Sequence, residues 1–443
     1  MASFDFTQLS SSNQLDGRFA NPSINDTGTV TYEGFQGVCT SIGGDCLQTG
    51  TNTPPNAIYT TKSDGSTTKI IDRSSYDGFS GYNSGVFFSA TTNDAGTTVL
   101  AASGFNSGQL VAGGPSAVIS STNGQISNVA YTSATFGVTF INPNGPFDTS
   151  NLAATGQFTS VAGISNAGTA IYTSGSSDGT TSLVTKSSNG NTATIADTGS
   201  NSDFKDFYLG GVNVNRGQGP FAAYTLPSIN NSGTVAFNAD LKTGGKGLFT
   251  VSNGQVADIA DSNSGLFTKF SVATLNNSGT VAFDAGLANG GSAVFTSSNG
   301  KLTDIADTSG SSPFQNLTLS DVAINQKGQV AFLGQLKNGT VGIFDGSNPA
   351  TDQVIAIGDK LGNYTVQNLF ISHEGLNSSG QLAFDATLVD GQGNTTEQIF
   401  LADPTNPTAV PAPNSVPLLG LSIVAMIAYR WRRGKHSVKQ TRH

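Results

Sequence analysis

The sequence predicts an all-β protein, a seven-bladed β-propeller of four-stranded blades. Three observations lead to this prediction. A short motif, Asn-x-x-Gly, occurs six times and once in a degenerate form that begins with Ser165. The same order of short β-type runs follows each copy, and no convincing helical period appears before the C-terminal tail. A β-solenoid and tandem β-sandwiches are the alternatives. Solenoid coils usually have shorter periods, so the propeller is favoured.

The Asn-x-x-Gly motif is a turn signal. A type I turn favours Asn, Asp or Ser at its first position and a left-handed Gly at its fourth. The two residues between them vary, as expected if backbone geometry is the only demand. The copies lie 65 to 72 residues apart in the first part of the chain and 46 to 52 in the second, so the early copies carry insertions. They begin at Asn25, Asn93, Ser165, Asn230, Asn276, Asn325 and Asn377.

Four β-type runs make up one copy. After Asn276 these are "TVAF", then "AVFT", then "DIAD", and finally a run that returns to the next Asn-x-x-Gly. A dipeptide that favours two-residue hairpins separates the second run from the third in most copies, because both of its positions accept a positive φ. These dipeptides are Asp64-Gly65, Asn123-Gly124, Asn189-Gly190, Asn253-Gly254 and Asn299-Gly300.

The two ends of the repeat region predict how the ring closes. The last copy stops after its second run, "EQIFLAD", while the opening stretch "GRFANPSIN" (17–25) resembles the fourth run of other copies. We therefore expect the N- and C-terminal strands to close the last blade together, with two strands from each end.

The recurring Val-Ala-Phe is predicted to be core. Alternation places Val and Phe on one face of the strand and Ala on the other. The small Ala allows close approach near the propeller axis, and the aromatic rings pack between neighbouring blades. They are Phe237, Phe283, Phe332 and Phe384.

An Asp recurs where the third run ends, and it has two interpretations. It is either a strand-end cap, which is favoured, or part of a ring of carboxylates that binds Ca²⁺ or a cationic polymer. No stretch has EF-hand spacing, and no other cofactor is expected. The metal candidates are Asp72, Asp197, Asp261 and Asp307.

The two cysteines flank a Gly-Gly pair. The spacing of Cys39 and Cys46 suits a small loop-closing disulfide in an oxidising compartment. The alternative is two unpaired thiols in an inserted loop. No His or further Cys lies nearby to complete a metal site.

Charge is distributed unevenly along the chain. Six of the 20 basic residues lie in the last fourteen positions, so 14 bases face 29 acids in the remainder, which carries about 15 negative charges. A phosphate backbone needs Lys and Arg to neutralise it. Nucleic acid is therefore excluded as a partner, and cations or a neutral polymer fit better.

The C-terminus has three parts. A repeat ectodomain (1–405) is followed by a Pro-rich linker (406–415), an apolar helix predicted to enter the membrane (416–431) and a basic cytoplasmic tail (432–443). This tail resembles the PEP-CTERM sorting signal of bacterial surface proteins. That resemblance implies recognition by an exosortase, export, and anchoring at the envelope or release after processing. The matching residues are Val410, Pro411, Pro413, Arg430, Arg432 and Arg433.

The repeat itself resembles the bacterial NxxGxxAF tandem-repeat proteins, whose motif is spelled by Asn276, Gly279, Ala282 and Phe283. The resemblance covers most of residues 20–403. It implies a repeat protein displayed at the cell surface and no defined activity. The opening "MASFDFTQLSSSNQ" has no basic or apolar signal region, so we expect that a signal peptide is missing from this chain.

Catalytic motifs are sparse. His373 is the single histidine of residues 1–405, and there is no Gly-x-Ser-x-Gly, Walker or zinc-type pattern. The sequence thus predicts a non-catalytic, envelope-anchored protein for adhesion or for binding extracellular polysaccharide or matrix. The alternative is a surface hydrolase or lyase acting on glycans at the axial face, because a glycosidase needs only two carboxylates.

Overall fold

The computed structural model describes residues 3–10, 18–35, 56–72, 75–76, 84–105, 111–112, 116–132, 138–139, 158–176, 178–207, 227–317 and 322–405. Within them, antiparallel sheets form the seven blades of a propeller, which confirms the predicted fold. The helices of these residues are the four-residue α1 (Pro349–Asp352) and a 3₁₀ turn (Ser262–Ser264).

Blades 1 to 3 have continuous innermost strands. Blade 1 comprises β2 (Arg18–Ile24), β3 (Val30–Phe35), β4 (Asn56–Thr61) and β5 (Thr67–Asp72). Blade 2 comprises β6 (Ser84–Thr92), β7 (Thr97–Phe105), β9 (Ser116–Thr122) and β10 (Gln125–Thr132). Blade 3 comprises β12 (Phe158–Ile164), β13 (Ala170–Gly175), β14 (Thr181–Lys186) and β15 (Thr192–Asp197). A separate pair consists of β8 (Val111–Ala112) and β11 (Val138–Thr139).

In blades 4 to 6 two short segments share the innermost position. Blade 4 comprises β16 (Phe204–Asp206), β17 (Ser228–Ile229), β18 (Val235–Leu241), β19 (Lys246–Ser252) and β20 (Gln255–Asp261). Blade 5 comprises β21 (Phe267–Phe270), β22 (Thr274–Leu275), β23 (Val281–Leu287), β24 (Ser292–Ser298) and β25 (Lys301–Asp307). Blade 6 comprises β26 (Phe314–Leu317), β27 (Ala323–Ile324), β28 (Val330–Leu336), β29 (Val341–Phe344) and β30 (Gln353–Ala356).

Blade 7 closes the ring with strands from both ends of the chain, as predicted. It comprises β31 (Lys360–Leu361), β32 (Tyr364–Leu376), β33 (Leu382–Val389), β34 (Thr395–Pro404) and β1 (Phe4–Gln8). The outermost strand β1 pairs with β34 in antiparallel register, from Phe4 opposite Pro404 to Gln8 opposite Phe400.

The expected division of blade 7 into two strands from each end is wrong. The N-terminus contributes β1 alone, and "GRFANPSIN" supplies β2, the innermost strand of blade 1. The reason is the tight Asn-x-x-Gly turn, which joins the run before it and the run after it as one hairpin. The run before each turn is therefore the first strand of its own blade and not the fourth strand of the preceding blade.

Apolar clusters fill the seams between blades, as Val-Ala-Phe predicts. The aromatic ring shares a cluster with the residue at the Ala place of the preceding blade, Phe283 with Ala236 and Phe332 with Ala282. Phe384 packs in the same way in the cluster that contains Ala331. Within a blade, rings also pair across strands, with Phe283 and Phe295 centroids 5.6 Å apart. Such pairs add stabilisation beyond burial.

The hairpin dipeptides are confirmed as turns, but only three are two-residue loops. Both positions have positive φ in Asn123-Gly124, Asn253-Gly254 and Asn299-Gly300. In the other two, Asp64-Gly65 and Asn189-Gly190, the Gly alone is left-handed and the loop has three residues. There the Asp64 and Asn189 side chains accept the backbone N–H two residues on, which stabilises the longer loop.

The transmembrane helix predicted over 416–431 lies outside the described residues. So do Cys39, Cys46 and the sorting-signal residues of the tail. In the described ranges no helix is long and apolar enough to span a membrane.

Ring closure makes a prediction for Leu9, which follows β1. Its backbone N–H donates to Ile399 O at 2.9 Å, and its side chain is buried in the cluster between blades 7 and 1. Leu9→Ala should lower the free energy of unfolding by about 2–4 kcal/mol, measured by urea titration. Thr7→Ala, on the exposed part of β1, is the control. Equal stability of the two variants would contradict closure by β1.

Candidate functional site

The Asn-x-x-Gly turns lie together at one end of the propeller, here called the turn face. They connect the innermost strands to the next strands, and alternate connections of an antiparallel sheet lie at the same end. Each turn Gly is left-handed, with φ between +77° and +90°. Its N–H donates to the carbonyl of the first turn residue, as from Gly279 to Asn276 O at 3.0 Å. The predicted turn geometry is confirmed.

The first turn residue does more than shape the turn. In Asn276, Oδ1 accepts the N–H groups of Ser278 at 3.1 Å and Thr280 at 3.0 Å. Its Nδ2 donates to the carbonyl of Asn325, in the turn of the next blade, at 3.1 Å. The side chain is 1% exposed. One buried amide thus satisfies its own turn with its oxygen and fastens two blades together with its nitrogen.

We call this inter-blade hydrogen bond a clasp, and six clasps run in one direction around the axis. The Nδ2-to-carbonyl distances are 2.9 Å from Asn25 to Asn93, 3.1 Å from Asn93 to Ser165, 3.2 Å from Asn230 to Asn276, 3.1 Å from Asn276 to Asn325, 2.9 Å from Asn325 to Asn377 and 3.2 Å from Asn377 to Asn25. Blade 3 has Ser165, which carries no amide. The clasp between blades 3 and 4 is therefore missing.

The second turn residues form a concentric ring, here called the rim: Asp26, Asp94, Asn166, Asn231, Asn277, Gln326 and Ser378. A rim oxygen accepts the backbone N–H of the preceding blade's rim residue, for example Asn277 Oδ1 from Asn231 N at 2.8 Å. The same bond reaches Asp94, Asn166, Asn231, Gln326 and Asp26, at 2.6 to 2.8 Å.

The expectation that only backbone geometry constrains this place is therefore wrong. All seven rim residues carry a side-chain oxygen, and that shared feature was visible in the sequence. Variation among Asp, Asn, Gln and Ser conceals it when the residues are compared by type.

The rim reaches solvent, whereas the clasps are buried. Asp94 and Ser378 are half-buried and the other five rim residues are exposed. Within the described part of the chain, the amide groups of Asn231, Asn277 and Gln326 donate no hydrogen bond, so they are available to a ligand. The turn face consequently presents a mostly neutral ring of amide donors and acceptors around the axis.

The four predicted metal candidates lie at the opposite end, where the outermost strands finish. Each accepts a backbone N–H of the following loop: Asp72 from Ser75 at 2.9 Å, Asp197 from Gly199 at 2.7 Å, Asp261 from Ser264 at 2.8 Å and Asp307 from Ser309 at 2.7 Å. They belong to four separate blades, and the fold does not bring them together. No group of three or more His, Cys, Asp or Glu in the ranges described could hold a metal.

A buried acid lies in the seam between blades 1 and 2, and sequence reasoning missed it. Glu33 on β3 accepts Asn21 Nδ2 at 3.1 Å and the backbone N–H of Ser89, from blade 2, at 2.8 Å. Burial raises the pKa of its carboxyl to about 7. Both partners have left-handed backbones, with φ of 53° and 54°. The available signal was an acid directly after the core aromatic Tyr32.

The equivalent place is also polar and buried in blades 4, 5 and 7, which have Asn238, Asp284 and Asp385. Asn238 Nδ2 donates to Ser271 O, in blade 5, at 2.6 Å. Together with Glu33 it shows side chains at this place bonding the next blade. His373 is buried in β32 with Nε2 3.8 Å from Glu374 Oε1. These buried groups belong to strands and not to the Asn-x-x-Gly turns.

Comparison with known proteins gives one family match and distant structural likenesses. A family described as being of unknown function, DUF7453, matches residues 211–350, just under a third of the chain. No curated protein sequence matches.

Three similar solved structures illustrate the likenesses. The β-propeller domain of the Trilobed protease from Pyrococcus furiosus is 9% identical, covers 91% of this chain and 98% of its own, and has a TM-score of 0.42. The BP39L lectin from Burkholderia pseudomallei is 13% identical, with coverages of 88% and 98% and a TM-score of 0.39. The WD40 domain of SCAP from fission yeast is 7% identical, with coverages of 90% and 87% and a TM-score of 0.39. These values say nothing about ligand or activity.

The two functions of the clasp residue can be separated by Asn276→Asp. Asp keeps the oxygen that the turn needs but has no N–H for Asn325 O, and its buried charge faces that carbonyl. The free energy of unfolding should fall by about 2 kcal/mol or more at pH 7. Asn277→Asp, next to it on the rim, keeps its acceptor and should change stability by less than about 0.5 kcal/mol. Equal effects in chemical denaturation would show that Asn276 only shapes its turn.

Glu33 should make stability depend on pH. Its pKa in the folded protein is raised from 4.5 to about 7, so its contribution is fully present below pH 4.5 and is lost as the pH rises through 7. Relative to Glu33→Gln, the wild type should lose roughly 2–3 kcal/mol of unfolding free energy between pH 5 and pH 8. Urea titrations of both proteins at the two pH values measure this. Parallel pH profiles would show that Glu33 is not buried as described.

Proposed function

We propose that this chain is a non-catalytic binding propeller that holds a neutral, hydroxyl-rich polymer, such as extracellular polysaccharide, on its turn face. The observation that carries the proposal is the exposed rim. The amides of Asn231, Asn277 and Gln326 are exposed at equivalent positions on three consecutive blades, which clasps and rim bonds connect. Hydroxyl groups of a sugar both donate and accept hydrogen bonds, which matches the mixed chemistry of an amide.

The chemistry of the turn face favours such a polymer over a protein partner. Protein interfaces depend on a few buried aromatic or arginine anchors. The exposed large apolar residues of the described ranges are Phe6, Val256, Ile357 and Tyr364, and none of them lies in an Asn-x-x-Gly turn. A repeating polymer can instead engage several weak and similar positions at once, which raises the overall affinity by multivalency.

The negative charge of the chain further restricts the class of polymer that can bind. Residues 1–429 carry about 15 net negative charges, and two of the rim residues, Asp26 and Asp94, are acids. Acidic polymers, including nucleic acids, would be repelled. A neutral polysaccharide avoids this repulsion.

We further propose that the propeller is displayed at a bacterial envelope by its C-terminal segment. The Pro-rich linker, the apolar run and the arginine cluster support this, together with the resemblance to the exosortase-processed sorting signal. The last described strand, β34, ends at Pro404, next to the linker. An anchor at this point would leave the whole ring outside the membrane.

Binding can be tested with the variant Asn231→Asp/Asn277→Asp. Both Asp side chains keep the oxygens that accept N–H groups from the preceding blade, and adjacent acids already occur at Asp26 and Asp94, so the fold should persist. Each variant residue loses an amide donor, so affinity for a neutral polysaccharide should fall roughly tenfold. Affinity electrophoresis of the full chain in gels containing dextran or a neutral β-glucan measures this.

The control for that experiment is Asp197→Asn at the opposite end, which should bind as the wild type does. Unchanged binding by the double variant would remove the rim as the site. Failure of the wild type to bind any neutral polysaccharide would overturn the proposed function. Release of reducing ends when the wild type is incubated with the polysaccharide would favour the alternative function, a glycan hydrolase.

Anchoring is tested separately by fractionating bacteria that export the full chain or a chain ending at residue 405. The full chain should be recovered with the membrane or, after processing, with the cell surface, whereas the shorter chain should be released. Equal release of both would contradict anchoring by the C-terminal segment.

A further inference from the structure

The seam between blades 3 and 4 is tied differently from its neighbours. Ser165 stands where the other blades have the clasp Asn, and its Oγ accepts the N–H of Thr169 at 3.2 Å in its own turn. The carbonyl of Asn230 accepts Gly233 N at 3.0 Å, but it has no amide from blade 3 to accept. In six other turns the equivalent carbonyl accepts both donors, as Asn325 O does.

A second tie, found at three other seams, is also missing among the described residues of this seam. Two residues before the turn, blades 1, 4 and 5 use a hydroxyl to bond the innermost segment of the next blade. Ser23 donates to Ala90 O at 3.3 Å, Ser228 accepts Leu275 N at 3.1 Å and Thr274 donates to Val322 O at 2.7 Å. Blade 3 has Gly163 at this place, and blades 6 and 7, whose clasps are present, have Ala323 and Gly375.

The backbone at Gly163 leaves little room for such a side chain. A Cβ there would lie 3.3 Å from Pro227 O, in blade 4, and 3.2 Å from Ile171 Cγ2. Contacts this short require the neighbours to move. The seam is therefore packed backbone to backbone, without a side-chain tie at this level.

Among the residues that the structure describes, two kinds of contact hold blades 3 and 4 together near the axis. One is the rim bond from Asn166 N to Asn231 Oδ1, at 2.7 Å. The other is the apolar cluster in which Ile171 and Leu183 meet Phe237 and Phe249. Apolar packing is not directional, so it tolerates a small separation of the strands more readily than a hydrogen bond does.

The seam that closes the ring, between blades 7 and 1, is tied more fully. Asn377 clasps Asn25, Ser378 N donates to Asp26 Oδ1 at 2.8 Å, and Ser372 Oγ bonds Pro22 O. Strand β1, which precedes β2 of blade 1 in the chain, pairs with β34 within blade 7. The place where the chain ends meet is thus reinforced, while a seam within the continuous chain is not.

We propose that the propeller opens locally at the seam between blades 3 and 4, which acts as a built-in joint of the ring. Blades 3 and 4 part there while the clasped seams stay closed. Local openings of this kind need less free energy than global unfolding. The turns of blade 3 and those of blade 4 then move apart, while the other six seams keep the rest of the ring connected.

Amide hydrogen exchange of the full chain under native conditions tests the joint. Asn166 N–H crosses this seam, and Asn277 N–H makes the same bond between clasped blades 5 and 6. We expect at least tenfold lower protection for Asn166. Ser165→Asn should supply the missing clasp and raise the protection of Asn166 about tenfold. Ala167→Asn, at an exposed place in the same turn, adds an amide without a clasp and should change nothing.

The reverse variant keeps the test decisive if Ser165→Asn misfolds. Asn276→Ser should create a second joint and lower the protection of Asn277 about tenfold. Equal protection of Asn166 and Asn277 in the wild type would overturn the proposal. So would lowest protection at Ser378, which would place the joint at the closing seam.

Discussion

The architecture depends on one buried side-chain amide in six of the seven turns. Carbonyl and N–H groups at the tips of hairpins near a propeller axis are shut away from water, and an unpaired group there would cost free energy. The Asn side chain solves this at both of its ends. Its oxygen saturates the turn of its own blade, and its nitrogen saturates a carbonyl of the next. The amide nitrogen of one blade donates to the turn carbonyl of the next, including from blade 7 to blade 1. The same residue that stabilises a turn therefore also helps to close the ring.

Apolar packing and the clasps stabilise the clasped seams in different ways. Aromatic rings such as Phe283 fill the space against small residues of the preceding blade, which supplies most of the burial. Packing alone fixes the angle between twisted sheets only loosely, whereas directional hydrogen bonds at the axis set the register between neighbours. The rim follows from this arrangement. Six of its oxygens accept a backbone N–H, and the amide nitrogens of Asn231, Asn277 and Gln326 stay exposed, where a ligand can reach them.

Much of the fold could be predicted from the sequence because its signals are local. Left-handed glycines, alternation in Val-Ala-Phe and the count of seven turns all act within one copy. The predicted blade boundaries were wrong by one strand. Pairing across the tight turn decides which blade a run joins, and residues 17–25 pair with β3 of blade 1. The clasps could not be seen for a similar reason. Asn276 satisfies the rules for a turn by itself, and its bond to Asn325 O depends on a residue 49 positions away.

The site was harder to predict than the fold, because a residue type that recurs in every copy need not mark a ligand site. Four recurring acids were candidates for a metal site, yet each caps its own loop. They are Asp72, Asp197, Asp261 and Asp307. The rim varies in residue type, and only its shared oxygen marks it. Side-chain amide hydrogen exchange, followed by NMR on the full chain, tests the central claim most directly. The six clasp amides should be strongly protected and the rim amides of Asn231, Asn277 and Gln326 should exchange freely. Clasp amides that exchange as fast as rim amides would contradict the account.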